Sequence, residues 1–289
     1  MLTEIDRVLI AVPDAVAAKE KWSSLLGAVE VGRDRERALA ARRIVLRAGR
    51  SDIELLEPDG EGLLSDELKR RGRAHLFAAG ASSPTVGTIT ANAVSLGAEC
   101  RKCDHGHYLI TLEIEGAPVR FVISGESERE RAGDLDFLYE ATVLAGDQAR
   151  AVDRIARTFL LDKTHFTTIT SEAFGYTGVL TLFREGALHR FEVITPTDMT
   201  KTMGRYYVRE GASFYMGFAE SAAILDIERM AHASKAGITV DRPATRAESL
   251  PADQLWLHPS AIGGMMLGIS RPTMAWRWSG HPERVAAIS

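Results

Sequence analysis

Two short apolar segments carry one acid each near their start. In Leu138-Tyr139-Glu140-Ala141-Thr142-Val143-Leu144, strand alternation puts Leu138, Glu140, Thr142 and Leu144 on one face. In Arg190-Phe191-Glu192-Val193-Ile194 it puts Arg190, Glu192 and Ile194 on one face. Where both faces line the same hollow, two carboxylates approach in a partly dry site. Like charges then raise one pKa and leave a proton donor or acceptor usable near neutrality. Such a pair suits proton abstraction next to a carbonyl. The alternative is that Arg190 or another cation neutralises it, or that Glu140 faces solvent. Tyr215, within Ser213-Phe214-Tyr215-Met216-Gly217-Phe218, lies opposite the face of Phe214, Met216 and Phe218. It offers a phenol to a ligand oxygen, or it is pocket wall.

The run Cys100-Arg101-Lys102-Cys103-Asp104-His105-Gly106-His107 gathers soft ligands. A structural zinc site draws on two separated ligand pairs, so that the chain wraps a tetrahedron. Here the run reads as a strand end, with Cys103, His105 and His107 on one face and Cys100 on the other. No helix follows Cys103 to lower a thiol pKa, and a solvated loop is the simpler reading. His258-Pro259 shapes a turn ahead of Gly263-Gly264. His165 and His189 are surface or pocket residues. Lys201 to Arg209, KTMGRYYVR, is a connector that either closes over an anionic ligand or stays solvated.

The elements that hold these residues come as repeats. Ile5 to Asp14 is an apolar strand ending in Asp, followed by a helix over Ala15 to Leu26. Leu138 to Asp147 repeats it, followed by a helix over Gln148 to Leu160. Each Asp suits the N-cap of the helix after it. Ile53 to Pro58 and Phe191 to Pro196 are matching strands stopped by proline. With Arg43 to Leu46 and Val179 to Phe183, each half opens as strand, helix, then strands. The same order fits two further segments. One runs from Leu76 through a helix over Val86 to Leu96 and strands ending at Ile123. The other runs from Ser213 through a helix over Ala222 to Ala236 and strands ending at Ile269. The densest charge run, GESERERAGDLD from Gly125, is expected to be a linker.

Composition excludes several classes. The chain has 289 residues, long enough for two domains and a sizeable core. Net charge is −4, which speaks against a nucleic-acid binder that relies on a basic surface. Only two cysteines occur, so a disulfide scaffold is out and a cytoplasmic setting is expected. The opening MLTEIDRVLIAVPD has no basic n-region or long apolar stretch, so neither a secretory signal nor a membrane partner is expected.

The strand at 5–14 (IDRVLIAVPD), IELLEP at 53–58 and LHPSAIGGMMLGI at 257–269 resemble the vicinal oxygen chelate superfamily. That group includes glyoxalase I, methylmalonyl-CoA epimerase, extradiol dioxygenases and bleomycin-resistance proteins. The resemblance implies an α+β fold of four βαβββ modules paired into two glyoxalase-like domains, at 1–124 and 136–289, joined by 125–135. It also implies a cupped sheet with metal ligands at four strand positions, where an ion polarises substrate oxygens. Here the first position holds Arg7 and Glu140, and the second keeps Glu54 and Glu192. The third falls near Ala78 and Tyr215, and the fourth near Val122 and Gly268. The His/His/Glu triad of the dioxygenases is absent, so no metal ligand is assigned.

On this layout Arg7 and Glu54 form an ion pair in the vacated metal space, or Arg7 binds a substrate carboxylate. The leading expectation is an isomerase or lyase acting on a small carbonyl-containing molecule in the C-terminal cup. Glu140 and Glu192 share the proton and Tyr215 holds an oxygen, with Arg7, Glu54, Arg190 and His258 as substrate-binding residues. The alternatives are a non-catalytic protein that sequesters a small molecule, or an enzyme whose carboxylates hold a divalent cation such as Mg or Mn. The expected partner is a small-molecule ligand, and paired modules are compatible with a homodimer.

Overall fold

Strand, helix and three strands recur four times. The computed structural model describes residues 1–288. The first module is β1 (Glu4–Ala11), α1 (Ala15–Leu26), β2 (Val29–Glu36), β3 (Ala41–Ala48) and β4 (Ser51–Pro58). A helix α2 (Leu63–Arg71) leads to the second: β5 (His75–Ser82), α3 (Val86–Ser95), β6 (Glu99–Lys102), β7 (Tyr108–Ile114) and β8 (Ala117–Ser124). The third is β9 (Phe137–Leu144), α4 (Gln148–Phe159), β10 (Thr167–Ser171), β11 (Tyr176–Leu182) and β12 (Arg190–Pro196). Helix α5 (Thr202–Glu210) leads to the fourth: β13 (Ser213–Glu220), α6 (Ile224–Ala233), β14 (Ile238–Asp241), β15 (Gln254–Leu257), a short α7 (Pro259–Ile262) and β16 (Met266–Ser270).

These strands form two eight-stranded sheets of the same order. One runs β2-β3-β4-β1-β5-β8-β7-β6 and the other β10-β11-β12-β9-β13-β16-β15-β14. In each module the first strand lies parallel to the last, as β1 to β4 and β9 to β12, because the helix carries the chain back over the sheet. The central strands β1, β5, β9 and β13 are almost wholly buried, whereas the edge strands β2 and β10 alternate between exposed and half-buried. Polar residues fill those edges, which blunts them against stray pairing.

The helix starts follow local chemistry. Asp14 accepts from the Ala17 N–H and Asp147 from the Arg150 N–H, capping α1 and α4. Helix α1 ends at Gly27, whose φ of 62° suits a residue without a side chain. By compactness the chain parts into two units. One comprises Met1–Ile5, Ala78–Ser127 and Glu140–Tyr215; the other comprises Asp6–Phe77, Glu128–Tyr139 and the chain from Met216 onward. In the first unit α3 packs on α4, above a core where Phe121 meets Phe159, Phe191 and Phe214 at ring distances of 4.9 to 5.1 Å. In the second, α1 packs on α6 and α7, and Trp22 is fully buried. A Cβ on Gly264 would lie 2.8 Å from Ala74 Cβ and 3.0 Å from Ile10 Cγ2, so only glycine fits that turn.

Two connecting segments have structure of their own. The charge run beginning at Gly125 is irregular but docked: Ala132 bridges Gly49, Leu135 is fully buried, and Arg129 is consumed by ion pairs. Lys201 to Arg209 joins the third and fourth modules as a largely solvated helix, Thr202–Glu210, in which only Gly204 is buried, against the backbone of Asp198 and Met199.

Candidate functional site

The register of the first module sets Arg7 beside Asp52 and Leu9 beside Glu54. Arg7 Nη1 donates to Glu54 Oε1 at 2.8 Å and Nη2 to Asp6 Oδ2 at 2.8 Å. Arg43 gives Nη1 to the other Glu54 oxygen at 3.0 Å and grips Asp34 with Nε and Nη2, both at 2.9 Å. Arg129 donates to Asp6 at 2.8 Å and Asp52 at 3.1 Å, and Arg47 donates to Asp52 at 2.7 Å. Arginines and acids therefore alternate along one buried ladder and balance in charge. Burial opposes the Arg7 charge, but Asp6 and Glu54 outweigh it, and the guanidinium pKa is raised. Arg7 and Glu54 are committed to this ladder, and its mutual compensation is what makes the buried charges tolerable.

The third module repeats the register with the charges exchanged. Arg190 now stands beside Glu140, where Asp52 stands beside Arg7, and Glu192 stands beside Thr142. Arg190 Nε donates to Glu140 Oε2 at 2.6 Å, and its Nη1 donates to the Leu188 carbonyl at 3.1 Å. Thr142 Oγ1 lies 2.6 Å from Glu192 Oε2 and 3.2 Å from Glu140 Oε1, bridging the two carboxyl groups. Glu140, Arg190 and Glu192 are 3%, 2% and 5% exposed, so the cluster is dry. Burial, then the charge of Glu140, lifts the Glu192 carboxyl well above the usual range; the Thr142 hydrogen bond opposes this. A hydrogen bond between Glu192 and Glu140 adds to the rise. Glu192 is thus the member of the pair whose proton is held more firmly, while Glu140 faces Arg190.

Two members of this cluster are not singled out as site residues by sequence. Thr142 is one, although alternation places it on the right face. Tyr176 is the other. Leu180 pairs with Glu192 across β11 and β12, and Tyr176 shares the face of Leu180. Burial raises the Tyr176 phenol pKa, and the negative charges of Glu192 and Glu140 raise it further, tempered by Arg190. Its hydroxyl makes no hydrogen bond to another described residue.

The remaining candidates have other partners. Tyr215 packs edge-on against Tyr206 of α5 at 4.9 Å and donates no hydrogen bond to either glutamate. Its phenol is pushed up to about 12 by burial and then by Tyr206. His258 opens α7 and hydrogen-bonds Thr239 Oγ1 through Nε2 at 2.9 Å. The His189 Nδ1 accepts the Ile5 N–H at 3.1 Å. Cys100 lies on β6, and Cys103 and His107 join backbone to backbone across the turn that follows.

No family profile and no curated protein matches the chain by sequence. Solved structures do match by shape. A triple mutant of 4-hydroxymandelate synthase from Streptomyces coelicolor superposes over 94% of this chain and 93% of its own, with TM-score 0.68 and 13% identity. A xylose isomerase-like TIM barrel/4-hydroxyphenylpyruvate dioxygenase fusion protein superposes over 94% of this chain, with TM-score 0.67 and 11% identity. This chain spans 49% of that fusion. The chain has the vicinal oxygen chelate fold. In a vicinal oxygen chelate fold the hollow of each sheet is where a metal would be held. Among the described residues no three His, Cys, Asp or Glu side chains are placed to hold an ion. The Arg190 guanidinium already occupies Glu140, and Arg7 and Arg43 occupy Glu54. These residues do not fit a metal. No helix of the described residues is long and apolar enough to cross a membrane.

Proposed function

We propose that this protein is an enzyme that moves a proton next to a carbonyl in a small organic molecule, an isomerase or lyase chemistry, with Glu140 and Glu192 as the working pair. One observation carries the reading: a buried Glu192, whose carboxyl is pushed above the usual range, is held by Thr142 against the Arg190-paired Glu140. A carboxylic acid kept neutral beside a carboxylate supplies donor and acceptor together at one pH. Arg190 fixes the Glu140 carboxylate in place, and Thr142 fixes Glu192. The proposed partner is accordingly a small-molecule ligand, the proposed compartment the cytoplasm and the proposed assembly a homodimer.

The test is hydrogen–deuterium exchange at carbon. The protein is incubated in heavy water with a panel of enolisable ketones and oxo acids, and exchange is followed by proton NMR. The panel includes 4-hydroxyphenylpyruvate, after which one structural neighbour is named. At least one probe exchanges faster than without protein, and Glu192→Gln or Glu140→Gln slows that exchange about a hundredfold or more, with melting unchanged for Glu192→Gln. Exchange that both variants leave at the wild-type rate refutes the assignment. A second reading, ligand sequestration without turnover, draws on the neutralisation of Glu140 by Arg190. It predicts tight binding of a probe that is recovered unexchanged.

A further inference from the structure

We propose that the Tyr176 hydroxyl holds the reacting oxygen of the ligand, and that this end of the ligand is an uncharged carbonyl rather than a carboxylate. The inference deepens the proton-transfer reading and rests on it for the chemistry, but not for the binding contact.

Hydrogen-bond accounting leads to Tyr176. In this cluster Arg190 is spent on Glu140 and on the Leu188 carbonyl, and Thr142 is spent on the two glutamates. Glu192 is tied to Thr142 and to Glu140. The Tyr176 hydroxyl, half-buried on the strand face that meets Glu192, has no hydrogen-bond partner among the described residues. The chain leaves that donor open, and a ligand oxygen can take its hydrogen bond in place of water. Tyr215, the phenol that sequence points to, is instead engaged with Tyr206.

Charge accounting selects the ligand. One guanidinium, already paired with Glu140, faces two carboxyl groups, so the cluster has no spare positive charge. A ligand carboxylate would enter a dry site with nothing to neutralise it. A neutral ketone or aldehyde oxygen needs only a donor, which a phenol supplies.

The step balances without a redox partner. The Glu140 carboxylate takes a proton from the carbon next to the carbonyl. The C–H pair becomes the new C=C bond, and the carbonyl π pair moves onto oxygen, held by the Tyr176 O–H. Glu192 returns its proton to carbon, and the proton gained by Glu140 passes to Glu192 across their hydrogen bond. A donor aimed at the oxygen where charge develops is worth about 100-fold to 1,000-fold in rate.

The test uses two readouts on the full chain. Substituted phenols, which present an oxygen resembling an enol, are titrated against wild type, Tyr176→Phe and Glu192→Gln. Phenols bind wild type and Glu192→Gln, and Tyr176→Phe binds them about tenfold or more weakly while melting at the same temperature or higher. In the exchange assay Tyr176→Phe slows turnover of neutral ketones about a hundredfold, and oxo acids exchange less than the matching ketones. Phenols that bind wild type and Tyr176→Phe equally, or bind neither, overturn the role of Tyr176. Preference for the oxo acids overturns the uncharged-ligand inference. If phenol binding depends on Tyr176 but no ketone exchanges, the contact stands and the proton-transfer reading of the glutamate pair fails.

Discussion

His75 opens β5 and is 3% exposed. Its Nδ1 lies 3.0 Å from the Arg73 carbonyl, which fixes the proton on that nitrogen and leaves the Nε2 lone pair inward, 3.9 Å from Glu67. Burial lowers its pKa first; the Arg73 carbonyl and Glu67 raise it, and Arg71 and Arg70 lower it, for a result of about 4 against an ordinary 6.5. The folded protein therefore keeps His75 neutral over a range where the unfolded chain has bound a proton. Because the native pKa is the depressed one, stability is present above the unfolded pKa and drains away as pH falls from 6.5 towards 4. At 1.36 kcal/mol per pH unit the full loss is about 3 kcal/mol, of which about 2 kcal/mol falls between roughly pH 7 and pH 5. His75→Asn keeps a donor for the Arg73 carbonyl and removes the titration. Urea unfolding of both proteins across that window should show wild type losing about 2 kcal/mol more than the variant. Parallel losses would mean that His75 titrates normally and that its burial carries no electrostatic cost.

Two further outcomes follow from the buried ion pairs. Glu54→Ala strips one acid from the ladder and leaves Arg7 and Arg43 facing it with an uncompensated charge. It should cost about 3 to 5 kcal/mol in urea unfolding. Arg190→Met should cost a similar amount by stranding Glu140, and adding Glu140→Leu should recover most of it. A double-mutant cycle without that recovery would show that the pair is not the electrostatic unit described.

Much of the fold is written locally. The capping acids Asp14 and Asp147, and the stops Pro58 and Pro196, act within a few residues, so strand, helix and strand ends are legible there. The edge strands and α5 are less so: β2 and β10 bury little, and the α5 sequence carries a glycine that only its packing on Asp198 and Met199 explains. The site divides in the same way. Alternation groups Glu140 with Thr142 and Arg190 with Glu192, because period two is a property of the strand itself, and the pairing of β9 with β12 sets both groups side by side on one sheet face. Tyr176 needs the register of β11 against β12, which no single strand encodes. The ladder around Glu54 needs Arg129, delivered from a charge run that looks like solvated chain.

The two ways of dividing this chain do not coincide, and that governs what a split protein would do. A break near Gly125 would leave both sheets uncut, since one ends at Ser124 and the other begins at Phe137, and would part the bridge between Gly49 and Ala132. It would also part α1 from α6 and α7, and α3 from α4, leaving greasy helix faces bare on both fragments. Neither fragment is then content alone. Co-produced, they have reason to find each other without a covalent tether, which makes the region a natural seam for a two-piece reporter of reassembly.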